Sequence, residues 1–392
     1  MIAFDEALQA ALDLGRPLGS ESVTLDEAFD RVLAAPAKAQ QGSPLTDVSA
    51  MDGYAVRDAD LGAHEVTLRL AGESRAGQTA VDRLEPGSCL RIFTGAPVPE
   101  GADRVVIQEE VARQGDAVVF RGLDGGKTHI RKAGSDFQAG DILVDAGSVL
   151  DAPRLVALAA ADLGEVEVYR RPRVRLIATG DEIREPGAGG RGVPDSVSFG
   201  VAALVRAWGG EVVGRERHGD DLPTLERAAA AALDDADVVV VTGGASVGER
   251  DLARAMFAPS GLSLLVDKVA MKPGKPVWIG RCGDRIVVGL PGNPTSAMVT
   301  ARLLLAPLVA GMAGRDAQGA NQWRTEPLAA DLPCCGDRET FVRAARLEKG
   351  INPLVDQDAA AQAPLAHCDV LLRRLPGAAA KAAGEPVLAL TF

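Results

Sequence analysis

The chain has 392 residues, 47% hydrophobic and 24% charged, a length and balance that predict several domains with ample cores. Its formal charge of −12, from 54 acids against 42 bases, argues against a general nucleic-acid binder while leaving room for a local basic pocket. The cysteines show no CxxC spacing, which argues against a zinc site or a disulfide framework, and the lack of a signal-peptide pattern or an apolar run of about 18 residues predicts a cytoplasmic protein off the membrane.

In chain order, Phe4, Ala7, Leu8, Ala11 and Leu12 recur at helical spacing and predict a helix over 2–14 that ends at Gly15. Thr24-Leu25-Asp26-Glu27 reads as a capping box opening a second helix that stops before Pro36. From 51 to 136 short alternating strands punctuated by Gly and Pro predict a small inserted β-domain. An Ala/Leu helix over 152–163 returns to the N-terminal style, so 1–50 and 137–172 are grouped as an elongated helical, dimerisation domain. Residues 173–312 alternate strand and helix, the pattern of a doubly wound α/β domain. Its hallmark is Val238-Val239-Val240-Val241, a strand buried on both faces. The alternation is lost over 313–392, which predicts a small C-terminal β-domain, barrel-like in its expected form. The fold class is thus multidomain α/β plus β.

Ligands in such sheets bind at the carboxyl ends of the strands. There the chain carries Thr242-Gly243-Gly244-Ala245-Ser246-Val247-Gly248, a glycine-rich turn into a helix whose first turn holds Glu249 and Asp251. Bare backbone N–H groups in such a turn seat an anion. No Gly-Lys-Ser/Thr follows, so it is no P-loop, and the GxGxxG spacing is absent. Gly244-x-Ser246-x-Gly248 does fit a serine nucleophile elbow, but only His367 lies downstream, in a different domain, and there is no His-Gly-Gly-Gly loop. Lys272-Pro273-Gly274-Lys275-Pro276 sets two lysines on a proline-stiffened turn, a natural oxyanion clamp. Gly289-Leu290-Pro291-Gly292-Asn293-Pro294-Thr295-Ser296 joins a strand to a helix and offers a second anion seat. The acids Asp52, Asp136, Asp181, Glu182, Asp220, Asp221 and Asp251 fall on turns, several beside glycine, where carboxylates meet around a divalent ion. Scattered histidines favour Mg²⁺ over zinc.

Together with Ser49-Ala50-Met51-Asp52-Gly53-Tyr54-Ala55, Thr94-Gly95-Ala96-Pro97-Val98-Pro99-Glu100-Gly101-Ala102-Asp103 and Thr179-Gly180-Asp181-Glu182, these motifs occur in the order and spacing of the molybdopterin molybdotransferases. The chain resembles the MoeA type, also seen as the E domain of gephyrin, over nearly its whole length. The resemblance implies a MogA-like central domain, an elongated four-domain subunit and a homodimer. It implies Mg²⁺-dependent insertion of molybdate into adenylylated molybdopterin with release of AMP. The molybdopterin adenylyltransferase is then an expected partner; nucleic acid and membrane are not. Carried over by motif, Asp52, Thr94, Asp136, Glu182, Lys272 and Lys275 are catalytic. Asp181, Gly243, Gly244, Ser246, Asp251, Pro291, Asn293, Ser296 and Arg343 bind substrate, Arg343 reaching in from the last domain. Glu182 and Asp221 hold the metal. The chain departs from the family at Leu45-Thr46-Asp47-Val48, where Phe-Asp-Asn is usual. It departs again at Val197, which stands for an Asn, and at Gln357-Asp358-Ala359-Ala360-Ala361-Gln362-Ala363, which stands for a serine-rich stretch. These departures raise two alternatives, a non-catalytic molybdopterin carrier and a paralogue of altered metal choice such as a tungsten-preferring one.

Overall fold

A computed structural model describes residues 1–78, 82–121, 126–243 and 252–392. The chain divides into two compact units, one of residues 1–22, 30–34 and 167–392, the other of 23–29 and 35–166.

The first unit is built on a six-stranded sheet. Its strands are β1 (Arg173–Thr179), β2 (Glu211–His218), β3 (Val238–Thr242), β4 (Ser263–Val266), β5 (Trp278–Cys282) and β6 (Arg285–Leu290). The order is β2-β1-β3-β6-β5-β4, with β2, β1, β3 and β6 parallel and the β6–β5 and β5–β4 pairs antiparallel. β3 lies at the centre, and its four valines are each 0% exposed because they serve two cores in turn. Val238 and Val240 face a core shared with the helices α1 (Phe4–Leu14), α2 (Val197–Ala207) and the long helix Pro294–Met312. Val239 and Val241 face a second core under the helix Leu222–Asp235. Helices thus cover both faces, the reason a continuous apolar run suits this strand. At the amino end, the buried Asp237 carboxylate accepts from the Arg173 N–H at 2.9 Å and from Arg170 and Arg285, which pins the start of the sheet.

The helix Pro294–Met312 has the length and composition to cross a bilayer, but Arg302 interrupts its apolar run and the helix is 94% buried inside the unit. Its middle turn, Ala301–Leu305, widens to a π-helix. Pro307 has no N–H to give the Leu303 carbonyl, and the Asn321 side-chain amide donates to that carbonyl instead at 2.8 Å.

The last sheet of this unit runs Met271–Lys272, Glu339–Leu347, Val370–Arg374, Pro386–Thr391, Arg324–Pro327, with Gly350–Pro353 beside Glu339–Leu347. It shares a core with the α/β sheet through Phe341, Leu371 and Leu390, and Phe341 meets Phe4 edge-on with centroids 4.7 Å apart.

The second unit contains a six-stranded sheet ordered Arg104–Ile107, Gly53–Val56, Ser88–Ile92, Val66–Ser74, Ala117–Phe120, Val111–Gln114. Alternation along Gly53–Val56 sends Tyr54 and Val56 to one core and Ala55 to another. The Asp151 side chain caps the helix Ala152–Ala160.

The expected helix after Thr24 is absent: residues 25–27 form a turn. The Thr24 and Glu27 side chains do meet at 3.2 Å. The chain then turns through Asp30 at φ 62° and leads Leu33 into an antiparallel bridge with Val168. Burial of Val32 and Leu33 in extended backbone outweighs the local helix signal.

Candidate active site

A cavity of about 750 Å³ opens at the carboxyl ends of β1, β3 and β6. Two glycine turns meet in its wall. Gly243, after β3, has φ 98°, and a Cβ there would stand 2.4 Å from the Thr179 carbonyl oxygen and 2.8 Å from its Oγ1. A Cβ on Gly292, after β6, would stand 3.6 Å from the Gly243 Cα. Pro291, Gly292, Asn293 and Ser296 line the same wall. The sequence motifs at the ends of three different strands are therefore brought together by strand order.

Glu182 and Asp220 supply carboxylates to the wall. The Glu182 carboxylate folds over Gly180, where a Cβ would lie 2.7 Å from Oε2. Asp181 is not a wall residue; its Oδ1 accepts from the Asp220 N–H at 2.9 Å and so holds the turn that presents Asp220. Asp221 is committed elsewhere. It caps the helix Leu222–Asp235, accepting from the Thr224 N–H at 3.1 Å and hydroxyl at 2.5 Å, bonds that hold its carboxyl below the usual range. Among the described residues no three His, Cys, Asp or Glu gather as metal ligands. Asp195 also lines the wall, but its oxygens accept from the Ser198 N–H and hydroxyl at 3.1 and 2.6 Å.

Among the described residues, the positive ones in the wall are Lys268 and Lys275. Lys272 is not among them: the Met271–Lys272 strand pairs in parallel with Glu339–Thr340 and leaves the lysine exposed.

At the start of the helix Pro294–Met312 the expected free N–H groups are fewer than the sequence suggests. Pro294 has none, and the Thr295 N–H donates to the Ala359 carbonyl at 3.2 Å. The Thr295 hydroxyl donates to the Ala361 carbonyl at 2.6 Å. Ser296, 5% exposed, is left to face the cavity.

Arg343 does not reach into the cavity. It is 1% exposed and lies behind the wall, where its guanidinium donates to the Asp356 and Asp358 carbonyls at 3.1 and 3.0 Å and to Thr295 Oγ1 at 3.1 Å. Burial lowers its pKa from the ordinary arginine value. It ties the 356–362 loop to the helix start, and that loop contributes Ala360 and Gln362 to the wall. Lys268 carries no motif signal, and Ala360 and Gln362 fall in the stretch noted above only as a departure from the family; long-range packing brings all three here. Val197 is also a wall residue.

Gly244, Ser246 and Asp251 lie outside the described residues. Asp52, Thr94 and Asp136 belong to the second unit. There Asp52 Oδ1 accepts from both the Thr94 N–H at 2.7 Å and its hydroxyl at 2.8 Å. Those two bonds, with the Arg91 charge, hold the Asp52 carboxyl below its ordinary value. The exposed Asp136 sits on a turn fixed by its N–H to the Ser43 carbonyl at 3.0 Å.

Residues 2–161 match the MoeA N-terminal region (domain I and II), and residues 175–311 match a probable molybdopterin binding domain. The chain is 37% identical to the molybdopterin molybdenumtransferase of Haemophilus influenzae, over 83% of its own length and 80% of that protein's. It is 34% identical to the protein of the same name from a Nostoc species, covering 82% of this chain and 76% of that one. Among solved structures, the molybdopterin biosynthesis MoeA protein of Pyrococcus horikoshii superposes over 100% of this chain and 99% of its own, with a TM-score of 0.85 at 27% identity.

Proposed function

The chain belongs to the molybdopterin molybdenumtransferase family, transferases of molybdenum cofactor biosynthesis, and from that premise we propose that it inserts molybdate into adenylylated molybdopterin with Mg²⁺ and release of AMP. The observation that carries this reading is the cavity itself, which joins bare glycine turns, three carboxylates, two lysines and Ser296 at the strand ends. Such a wall suits a ligand with phosphate and oxyanion groups at one end and a polar ring system at the other.

In this reading the Gly243 and Gly292 turns admit the pyrophosphate against backbone, since neither position carries a side chain to exclude it. Lys275 and Ser296 hold the oxyanion beside the dithiolene, as fixed donors for charge that develops there. Pro291 and Asn293 shape the entry to that seat. Mg²⁺ fits the donor set, because it takes one or two carboxylates and completes its shell from substrate and water. Glu182 is the carboxylate that would hold it, with the Asp220 turn beside it and Asp221 acting through that turn's helix. When bound, Mg²⁺ neutralises the phosphate oxygens during cleavage of the phosphoanhydride. Asp52, Thr94, Asp136, Lys272, Gly244, Ser246 and Asp251 are kept in this proposal on the motif resemblance alone. We also carry the four-segment domain division, the cytoplasmic homodimer and the adenylyltransferase partner as parts of this proposal.

One observation favours a second reading. Val197 and Ala360, both wall residues, present no hydrogen-bond donor side chain to the cavity, which suits a carrier that retains molybdopterin without turnover, or an altered metal preference. Purified protein with adenylylated molybdopterin, Mg²⁺ and either molybdate or tungstate separates the cases by AMP release. The transferase reading expects molybdate-dependent AMP, reduced at least tenfold by Lys275→Ala. Unchanged release from that variant sinks the assignment of Lys275, and retention without release supports the carrier.

A further inference from the structure

We propose that a second cavity, between the end of α2 and the last sheet, binds a small organic anion: a planar ring that carries a phosphate or carboxylate head. The site is built on Arg302 of the long helix, with Arg324 and Trp208 beside it.

The cavity measures about 430 Å³, lies within the first unit and shares no wall residue with the one at the strand ends. Three arginines, Arg302, Arg324 and Arg346, stand in its wall against one acid, Glu326. That acid is occupied, since its two oxygens accept from Arg346 Nη2 at 2.7 Å and Nε at 3.3 Å. Arg302 and Arg324 have no carboxylate partner among the described residues.

Arg302 carries the inference. It is 4% exposed, and a buried charge is ordinarily paired with an opposite one. Its partners here are neutral. Nε donates to the Thr391 carbonyl at 2.8 Å, Nη2 to the Ala320 carbonyl at 2.8 Å and Nη1 to Asn321 Oδ1 at 3.3 Å. These bonds fix the guanidinium plane and use one N–H on each nitrogen. A guanidinium carries a second N–H on both terminal nitrogens, and neither has a protein acceptor among the described residues. A ligand oxyanion supplies the missing charge and the missing acceptors together. Arg324, exposed and with its side chain unbonded among the described residues, adds a second cation at the same wall.

The aromatic side chains point to the ring. Trp208 holds its ring 5.1 Å from Arg302 Cζ, and its indole N–H has no acceptor among the described residues. Phe392 lines the same cavity, and both rings are only partly buried. They offer a planar body surfaces to stack on. A bare inorganic oxyanion leaves both rings and most of the volume unused.

Phenyl phosphate, a ring and a dianionic head in one molecule, is the probe. It is titrated calorimetrically into the full chain at fixed ionic strength, with Lys275→Met as the background that weakens binding in the first cavity. Binding should persist in that background and fall on the order of tenfold or more when Arg324→Met is added. Arg302→Lys, which keeps the charge and loses the fork, should weaken it several-fold. The Arg324 variant keeps the test open should the buried site fail to fold. Of the three tryptophans Trp278 is 0% exposed, and Trp208→Phe should remove most of the fluorescence change on binding while the heat remains. Benzoate in place of phenyl phosphate distinguishes the heads: the tighter of the two names the head, and either supports the site. Phenol binding as tightly as phenyl phosphate overturns the anion, and inorganic phosphate binding as tightly overturns the ring. No binding of either ring-bearing anion, binding unchanged by Arg324→Met, or binding lost with Lys275→Met alone overturns the proposal.

Discussion

Gly243 has no room for a side chain, since a Cβ would overlap both the Thr179 carbonyl and hydroxyl, and its φ of 98° lies where only glycine is comfortable. Gly243→Ala is therefore expected to cost ~1–3 kcal/mol of stability and to distort the wall, which urea unfolding would register, as would AMP release under the proposed reaction. Asp52 makes a prediction about pH. Its folded pKa is depressed by two bonds from Thr94, so its contribution is present above the unfolded carboxylate range and disappears as pH falls through the folded value. The melting temperatures of wild type and Asp52→Asn should differ at pH 7 and converge in acid; a difference that persists below the folded value would contradict the assignment. Arg343 shows where a single residue misleads. The sequence places it in the site, and the structure turns its guanidinium onto loop carbonyls. Arg343→Met should cost about 2–4 kcal/mol by leaving buried acceptors unpaired, and Arg343→Lys should recover only part, because one ammonium cannot span acceptors set for a fork.

At the scale of elements, the π-turn in the long helix depends on a borrowed donor. Asn321 is 8% exposed, donates to the Leu303 carbonyl at 2.8 Å and accepts from Arg302 at 3.3 Å. Arg302 is itself buried, with its pKa pushed down to about 10 by loss of solvent. Asn321→Ala is expected to destabilise the fold by about 1–3 kcal/mol. Adding Pro307→Ala supplies a backbone N–H one turn after Leu303, so the double variant should be less unstable than the sum of the two single ones, as a double-mutant cycle in urea reveals. The sheet was legible in the sequence because its signals are local: four valines in a row, then glycine. So were the turns at the strand ends, where Gly243, Pro291 and Glu182 come together through strand order alone. The false helix after Thr24 has a local signal too, but the extended pairing of Leu33 with Val168 overrides it. Lys268 was not legible, and Ala360 and Gln362 were only as a departure from a family stretch, since nothing in their neighbours announces the distant segments they meet.

For the whole molecule, the α/β sheet and the last sheet share one core, in which Phe4, Phe341, Leu371 and Leu390 pack with Val238 and Val240. Removing residues 313–392 should expose that core and open the cavity wall formed by the 356–362 loop. A chain ending at Met312 is expected to lose cooperative unfolding in urea; a sharp, wild-type-like transition would mean that the sheets fold independently. The same loop has a consequence for change over time. It is fastened to Thr295 through the backbone carbonyls of Ala359 and Ala361, and to Arg343 through those of Asp356 and Asp358. These four anchors are indifferent to which side chain each residue bears. Ala360 and Gln362, facing the cavity, are thus free to vary while the scaffold stays put, so substrate or metal preference can drift at this wall without a toll on folding.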